Sequence, residues 1–201
     1  MHPARKAEID RLADLAHLGA EQAAESFAHL VGRSVSTAPP VVIDGGTVVS
    51  AEQPDTSDTD WSTGVFFEFE GCLEAVVGIL FPGSASETLV RRIVGIESGE
   101  IDPTMIESAL MEVGNILASH VASGIADRLR SRLLPSIPSL AMVDAEQALE
   151  SLIEGVAGPE ALRIESAFSD DVGELGGRLI LVPTQVAHWA PIRPTSETGG
   201  V

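Results

Sequence analysis

Along the stretch ESALMEVGNILASH, residues 107–120, apolar positions recur at the period of a helix. At about 100° per residue, Leu110, Val113, Ile116, Leu117 and Val121 fall on one side, a stripe suited to a core. Ser108, Glu112, Asn115 and Ser119 stack on the other side at spacings of four, three and four. A solvated helix face usually mixes charges of both signs, whereas this line holds one carboxylate, one carboxamide and two hydroxyls.

The same pattern occurs twice. Asp10, Asp14, His17 and Pro40 precede Ser108, Glu112, Asn115 and Pro138 by 98 positions each. The same offset pairs Ala20 with Ala118, Ala24 with Ala122 and Ala28 with Ala126, alanines spaced so that a helix can press closely on a neighbour. Further on, GILFP (78–82) resembles LILVP (179–183) at an offset of 101, a drift of three that a change in loop length accommodates. The chain therefore reads as one domain over 1–187 made of two homologous halves, about 1–100 and 101–187, followed by a tail over 188–201 expected to be flexible. Trp189 reads as an anchor of that tail on the domain.

Each half is expected to begin with a long helix, about 6–32 and 103–132, the second started by Pro103, where a missing N–H costs little. An extended segment entered through proline follows each helix (APPVVI and PSIPSLAMV), and then a hairpin. The first hairpin is GVFFEFEGCLEAVVGILF with its turn near Gly71, and the second joins ALRIESAF to GGRLILVPT. A helix, SASETLVRRIVG, follows the first hairpin, and a short one, DAEQALESLIEG, precedes the second, as an amphipathic filler of the sheet edge. The predicted class is α/β of the α+β kind: two pseudo-symmetric halves, a mostly antiparallel sheet and two long helices packed on it.

Composition narrows the function. The formal net charge is -18, basic residues number 12 and Lys6 is the sole lysine, which argues against nucleic acid as a ligand. The acids are spread along the chain, as expected of a protein kept soluble in a salt-rich cytosol. No apolar run reaches the roughly 18 residues of a membrane span, and the charged N-terminus is unlike a signal peptide, so a cytoplasmic location without membrane insertion is expected. The single cysteine, Cys72, excludes an internal disulfide and reads as a small apolar residue in a strand. The histidines show no metal-ligand spacing, and no metal site is assigned.

The spacing Ser108-x3-Glu112-x2-Asn115, followed 22 residues later by Pro138, resembles the phosphatase signature of the CheC family of chemotaxis proteins, related to CheX and the flagellar switch phosphatases. The string EVGNILAS and the degenerate copy in HLGAEQAAESFAHLVGR strengthen the resemblance, which spans nearly all of the chain except the tail. It implies a hydrolase of signal transduction that dephosphorylates the response regulator CheY, whose phosphoryl group sits on an aspartate beside a lysine and a metal ion. Glu112 would pair with that lysine and Asn115 would orient a water in line with phosphorus, with Ser108 and Pro138 supporting. The protein would carry no cofactor of its own, and Mg2+ would belong to the regulator. Combined with the acidity, the resemblance implies a halophilic archaeon as the source.

In the first half Asp14 stands in place of the family's glutamate and His17 in place of its asparagine, so Asp10, Asp14, His17 and Pro40 are expected to form a weak or inactive copy. The alternative from another class is an adaptor that binds phosphorylated CheY and the receptor deamidase CheD with little turnover. Glu146 and Gln147 on DAEQALESLIEG are the candidate CheD-docking residues.

If the acidity is an adaptation to salt, the melting temperature should rise as potassium chloride goes from dilute to molar, because screening relieves repulsion among surface carboxylates. A melting curve indifferent to salt would count against that adaptation.

Overall fold

The computed structural model describes residues 3–49 and 60–184. The tail with Trp189 and the acidic segment 51–59 lie outside them. Four helices and nine strands are present among the described residues: α1 (Pro3–Val31), β1 (Val35–Thr37), β2 (Val41–Asp44), β3 (Thr47–Val48), β4 (Thr63–Gly71), β5 (Ala75–Phe81), α2 (Gly83–Val94), α3 (Pro103–Leu129), β6 (Leu133–Pro135), β7 (Ser139–Ala141), α4 (Ala145–Val156), β8 (Arg163–Asp170) and β9 (Gly176–Pro183). The helix starting at Pro103 is capped by Asp102, whose carboxylate accepts from the Thr104 N–H at 3.0 Å. It stops three residues sooner than its sequence pattern suggests, because Arg130 adopts a left-handed conformation (φ 50°).

The strands form one antiparallel sheet in the order β3-β2-β8-β9-β5-β4-β6, with β1 also on β8 and β7 also on β4. Each half thus lends its edge strands to the other half's hairpin. β1 and β2 of the first half pair with β8, and β6 and β7 of the second pair with β4. The repeat is visible in the register. Val35 faces Asp170 and Leu133 faces Gly71, while Val41 faces Glu165 and Ser139 faces Phe66. At the centre, Gly78 pairs with Ile180 and Ile79 with Leu179. An offset of 101 carries each of these pairs into the other, so the pseudo-twofold axis passes between them.

Alternation sends Val77, Ile79 and Phe81 to one side of β5 and Val76 and Leu80 to the other. The first side is covered by α1 and α3, which pack side by side over the sheet with α2 beside them. Ala20, Ala24, Ala118 and Ala122 are buried as their spacing suggests, and Ala28 and Ala126 are half-buried. A Cβ on Gly19 would approach Val121 Cγ1 to 2.9 Å, a measure of how closely the two helices approach.

Two expectations are corrected here. The helix α4 does not fill the sheet edge; its Ala145, Leu149 and Ile153 pack with Phe66, Val76, Leu80, Ile180 and Val182 on the face opposite the long helices. This explains why β4 is buried on both faces up to Phe67 and then alternates, Glu68 and Glu70 being exposed beyond the reach of α4. Cys72 is not in a strand but in the β4–β5 turn, where it is half-buried and burial pushes its thiol up from the ordinary value. That turn requires a glycine. Gly71 has φ 129°, and a Cβ there would lie 2.2 Å from the Arg132 carbonyl oxygen.

The β8–β9 hairpin is fastened to the end of α1 by a buried carboxylate. Arg33 Nη1 donates to Asp170 Oδ2 at 2.6 Å and to Glu174 Oε2 at 2.9 Å. The N–H groups of Glu174 and Leu175 donate to Asp170 Oδ1 at 2.8 and 3.0 Å. Burial alone would raise the Asp170 carboxyl, but the Leu175 N–H, the Arg33 guanidinium and the Glu174 N–H outweigh it and hold the carboxyl below its ordinary value. A lowered folded value means stability that is fully present above the ordinary range, near about pH 4, and is lost as pH falls through the folded value. Asp170→Asn should lower the melting temperature at neutral pH by roughly 5 °C. The gap between the two proteins should close as the pH is taken below 4, and an unchanged gap in acid would show that the charge on Asp170 is not what holds the hairpin.

Candidate functional site

The polar line on α3 is exposed. Ser108, Glu112, Asn115 and Ser119 all face solvent, while Leu110, Val113, Leu117 and Val121 are buried and Ile116 is half-buried. Among the described residues no hydrogen bond or ion pair engages the side chains of Glu112 or Asn115. Residues three apart on a helix have Cβ atoms about 5–6 Å from each other. The carboxylate and the carboxamide therefore project side by side from a rigid element, free to meet something outside the molecule.

What sets their height above the sheet is Gly114, between them and buried. A Cβ on it would lie 2.6 Å from Val65 Cγ1 and 2.8 Å from Val65 Cβ, so only glycine lets α3 rest this low on β4. The sequence held a signal for this residue, since glycine inside a helix costs about 0.5–1 kcal/mol relative to alanine and implies a packing reason. Its counterpart 98 positions earlier is Ala16, buried at the same place on α1.

Pro138 lies between β6 and β7, immediately before Ser139, in the edge segment that contacts α3. The connection is pinned to β4: the Ser136 N–H donates to the Glu68 carbonyl at 2.8 Å, and the Glu68 N–H donates to Ser136 Oγ at 3.0 Å. Pro40 has the matching place before β2, where the Ala38 N–H donates to the Ala167 carbonyl at 2.8 Å and the Ser166 hydroxyl to the Ala38 carbonyl at 3.0 Å. The structure thus brings the segment of each proline onto the hairpin of the other half.

The first-half line differs in exposure as well as chemistry. Asp10 and Asp14 are exposed, but His17 is half-buried: Nε2 lies 3.6 Å from Glu21 Oε1, and Nδ1 is buried without a partner among the described residues. An imidazole so placed is less available to an external group than Asn115. Glu146 and Gln147 sit apart from both lines, on α4. Both are exposed, and the Glu146 carboxylate accepts from Arg178, whose guanidinium lies 4.7 Å from the centre of the Trp61 ring. Glu146 thus already has a partner, fixing α4 to β9. Among the described residues no group of three or more His, Cys, Asp or Glu side chains could hold a metal ion, and no helix is long and apolar enough to cross a membrane.

The CheC-like family model matches residues 105–140, the span that contains Ser108, Glu112, Asn115 and Pro138. A Bacillus subtilis protein, CheY-P phosphatase CheC, is 27% identical over 198 residues, covering 89% of each chain. Both matches make the chain similar to CheC-type proteins. Solved structures show the same fold. Thermotoga maritima FliY aligns with a TM-score of 0.62 at 14% identity, covering 91% of each chain. CheX in the CheX–CheY–BeF3–Mg2+ complex from Borrelia burgdorferi aligns at 0.60 and 13% identity, covering 85% of this chain and 99% of that one.

If Gly114 sets the position of Asn115, Gly114→Ala should destabilise the fold by about 1–2 kcal/mol despite alanine's better helix propensity. Adding Val65→Gly, which removes the Cβ and both methyl groups in the way, should recover part of that loss. A double mutant showing the simple sum of two losses in thermal unfolding would mean that the contact does not set the seat of α3.

Proposed function

We propose that this protein hydrolyses the aspartyl phosphate of the chemotaxis response regulator CheY, using Glu112 and Asn115 on α3. The observation that carries this reading is the unengaged carboxylate–carboxamide pair, one helical turn apart and seated by Gly114, inside the segment that matches the CheC-like family. The Bacillus subtilis relative, a CheY-P phosphatase, supports the substrate class.

The residue types suit the chemistry. The carboxamide of Asn115 offers a donor and an acceptor and carries no charge to repel an anionic phosphoryl group, so it can hold a water with an oxygen lone pair aimed at phosphorus. Attack by that water breaks the bond between phosphorus and the aspartyl oxygen, releasing phosphate and a proton and returning a free carboxylate on the regulator. Positioning is most of what such a transfer demands of a protein. Glu112, without a partner among the described residues, would pair with a cation of the regulator beside the phosphoryl group and align the two surfaces. The Mg2+ ion would be the regulator's.

Two finer readings accompany this one. The second-half line is the principal site, since Asp14 is shorter than Glu112 by a methylene and His17 is half-buried and paired with Glu21. The acidic surface fits the cytosol of a halophilic archaeon. In the alternative reading, an adaptor for phosphorylated CheY and CheD with little turnover, Gln147 and the Arg178-paired Glu146 on α4 would share the CheD contact.

Asn115→Ala should lower turnover of phosphorylated CheY by roughly a hundredfold or more while leaving its binding largely intact. Glu112→Ala should weaken both, and Asp14→Ala with His17→Ala should change turnover less than about twofold. The measurement is a phosphate-release time course at one high salt concentration, with circular dichroism as the control for folding. Wild-type turnover in Asn115→Ala, or a larger loss from the first-half pair, would overturn the assignment.

A further inference from the structure

The edge segment beside α3 carries apolar side chains that the fold leaves in water. Ile137 is 90% exposed and Leu134 47%, both in the β6–β7 segment; Met105 (41%) and Val143 (70%) stand at the start of α3 and just past β7. Their positions follow from the backbone. Gly114 of α3 rests on Val65, and Val65 pairs with Leu140, so α3 and the β6–β7 segment run alongside β4 in opposite senses from that level. Ile137 is three residues from Leu140, about 10 Å along an extended chain, which corresponds to less than two turns of helix beyond Gly114. It therefore stands at the flank of the Asn115 and Ser119 end of the polar line.

The repeat provides a comparison within the molecule. At the offset of 98, Met105, Leu134, Ile137 and Val143 correspond to Ala7, Ser36, Pro39 and Gly45. The apolar rim thus accompanies only the half whose line keeps an exposed carboxamide. The large apolar side chains exposed in the first half lie elsewhere, Val48 and Val49 on and just past the outermost strand β3 and Val94 at the end of α2. Fold symmetry alone would have treated the two rims alike.

We infer that Ile137, with Leu134 beside it, is the apolar anchor on which the response-regulator domain seats while Glu112 and Asn115 meet its phosphoryl group. This rests on the reading of Glu112 and Asn115 given above. A mostly polar contact gains affinity from a few apolar side chains that become fully covered at its centre. Ile137 has nearly its whole side chain available for that purpose and nothing to lose inside the fold.

The test uses the full chain and the CheY domain, loaded with beryllofluoride for calorimetric binding and phosphorylated for turnover. Ile137→Ser should weaken binding at least about tenfold and raise KM by a similar factor, with kcat at saturation within about twofold of wild type. The double variant with Leu134→Ser should lose more, and Val172→Ser, an exposed valine in the β8–β9 turn, should change neither quantity. Affinity within twofold of wild type in the double variant would overturn the anchor while leaving the phosphatase reading to stand on Asn115→Ala. A wild-type protein that sediments as a dimer, and becomes a monomer on Ile137→Ser with regulator affinity unchanged, would overturn it in favour of a second copy. A wild-type protein that binds the regulator through Ile137 but does not hydrolyse it would support the anchor and remove the phosphatase reading. No binding by wild type would remove both.

Discussion

Neither half of this chain can complete its own layer. The long helix and edge strands of each half lie on the hairpin of the other, so that α3, β6 and β7 rest on β4 and α1, β1 and β2 rest on β8, with β5 and β9 joining the two sides. The polar line on α3 consequently depends on first-half residues for its support. Val65, which determines how low the helix sits, belongs to the half whose own polar line has drifted. The polar line of the first half can vary, but its hairpin cannot be lost without removing the floor beneath Glu112 and Asn115.

That dependence separates the constraints on the two lines. Positions that face the shared core remain alike, as the buried Ala20 and Ala118 and the buried Ala24 and Ala122 show. The polar positions lie on the outer faces of the helices, away from the sheet, so Asp14 and His17 can differ from Glu112 and Asn115 without disturbing it. His17 differs further in being half-buried, with its Nε2 3.6 Å from Glu21 Oε1. The reverse asymmetry at Ile137 and Pro39 follows the same logic: both lie in solvent, and neither is fixed by the fold.

Acidity places a different demand on the molecule. With 30 acidic residues against 12 basic ones, most carboxylates can find no cation, and the arginines are used where they fasten elements together. Arg33 ties the end of α1 to Asp170 and Glu174, Arg178 joins β9 to Glu146 of α4 and Glu165 of β8, and Arg163 joins β8 to Glu150 of α4. The pairs with an exposed acid, Glu146, Glu150 and Glu174, contribute little singly and are weakened by salt, whereas the Asp170 carboxylate is buried and hydrogen-bonded and is screened far less. In a salt-rich solvent the fold therefore relies on its apolar layers and on the few ionic contacts that water does not reach.

Periodicity in the sequence describes faces, and most of what it could describe was legible. The helical stripe of α3 separates Leu110, Val113 and Leu117 from Glu112 and Asn115, and the offsets of 98 and 101 reappear as the sheet's register. Neighbours are another matter. The alternation in β4 and β8 says which side chains turn inward but not which strand lies alongside, so the exchange of edge strands between halves was hidden. For the same reason the amphipathic pattern of α4 announced a buried face without revealing that this face covers Val76, Leu80 and Ile180 on the far side of the sheet. An isolated acid such as Glu146 looked free for docking because its partner Arg178 is 32 positions away, and Cys72 looked like a strand residue because hydrophobicity continues through the β4–β5 turn. Gly114 falls between these cases. Its helix-breaking tendency was visible, yet the reason for it is the volume of Val65 across a helix–strand contact, and a distance of that kind exists only once the two halves have exchanged their strands.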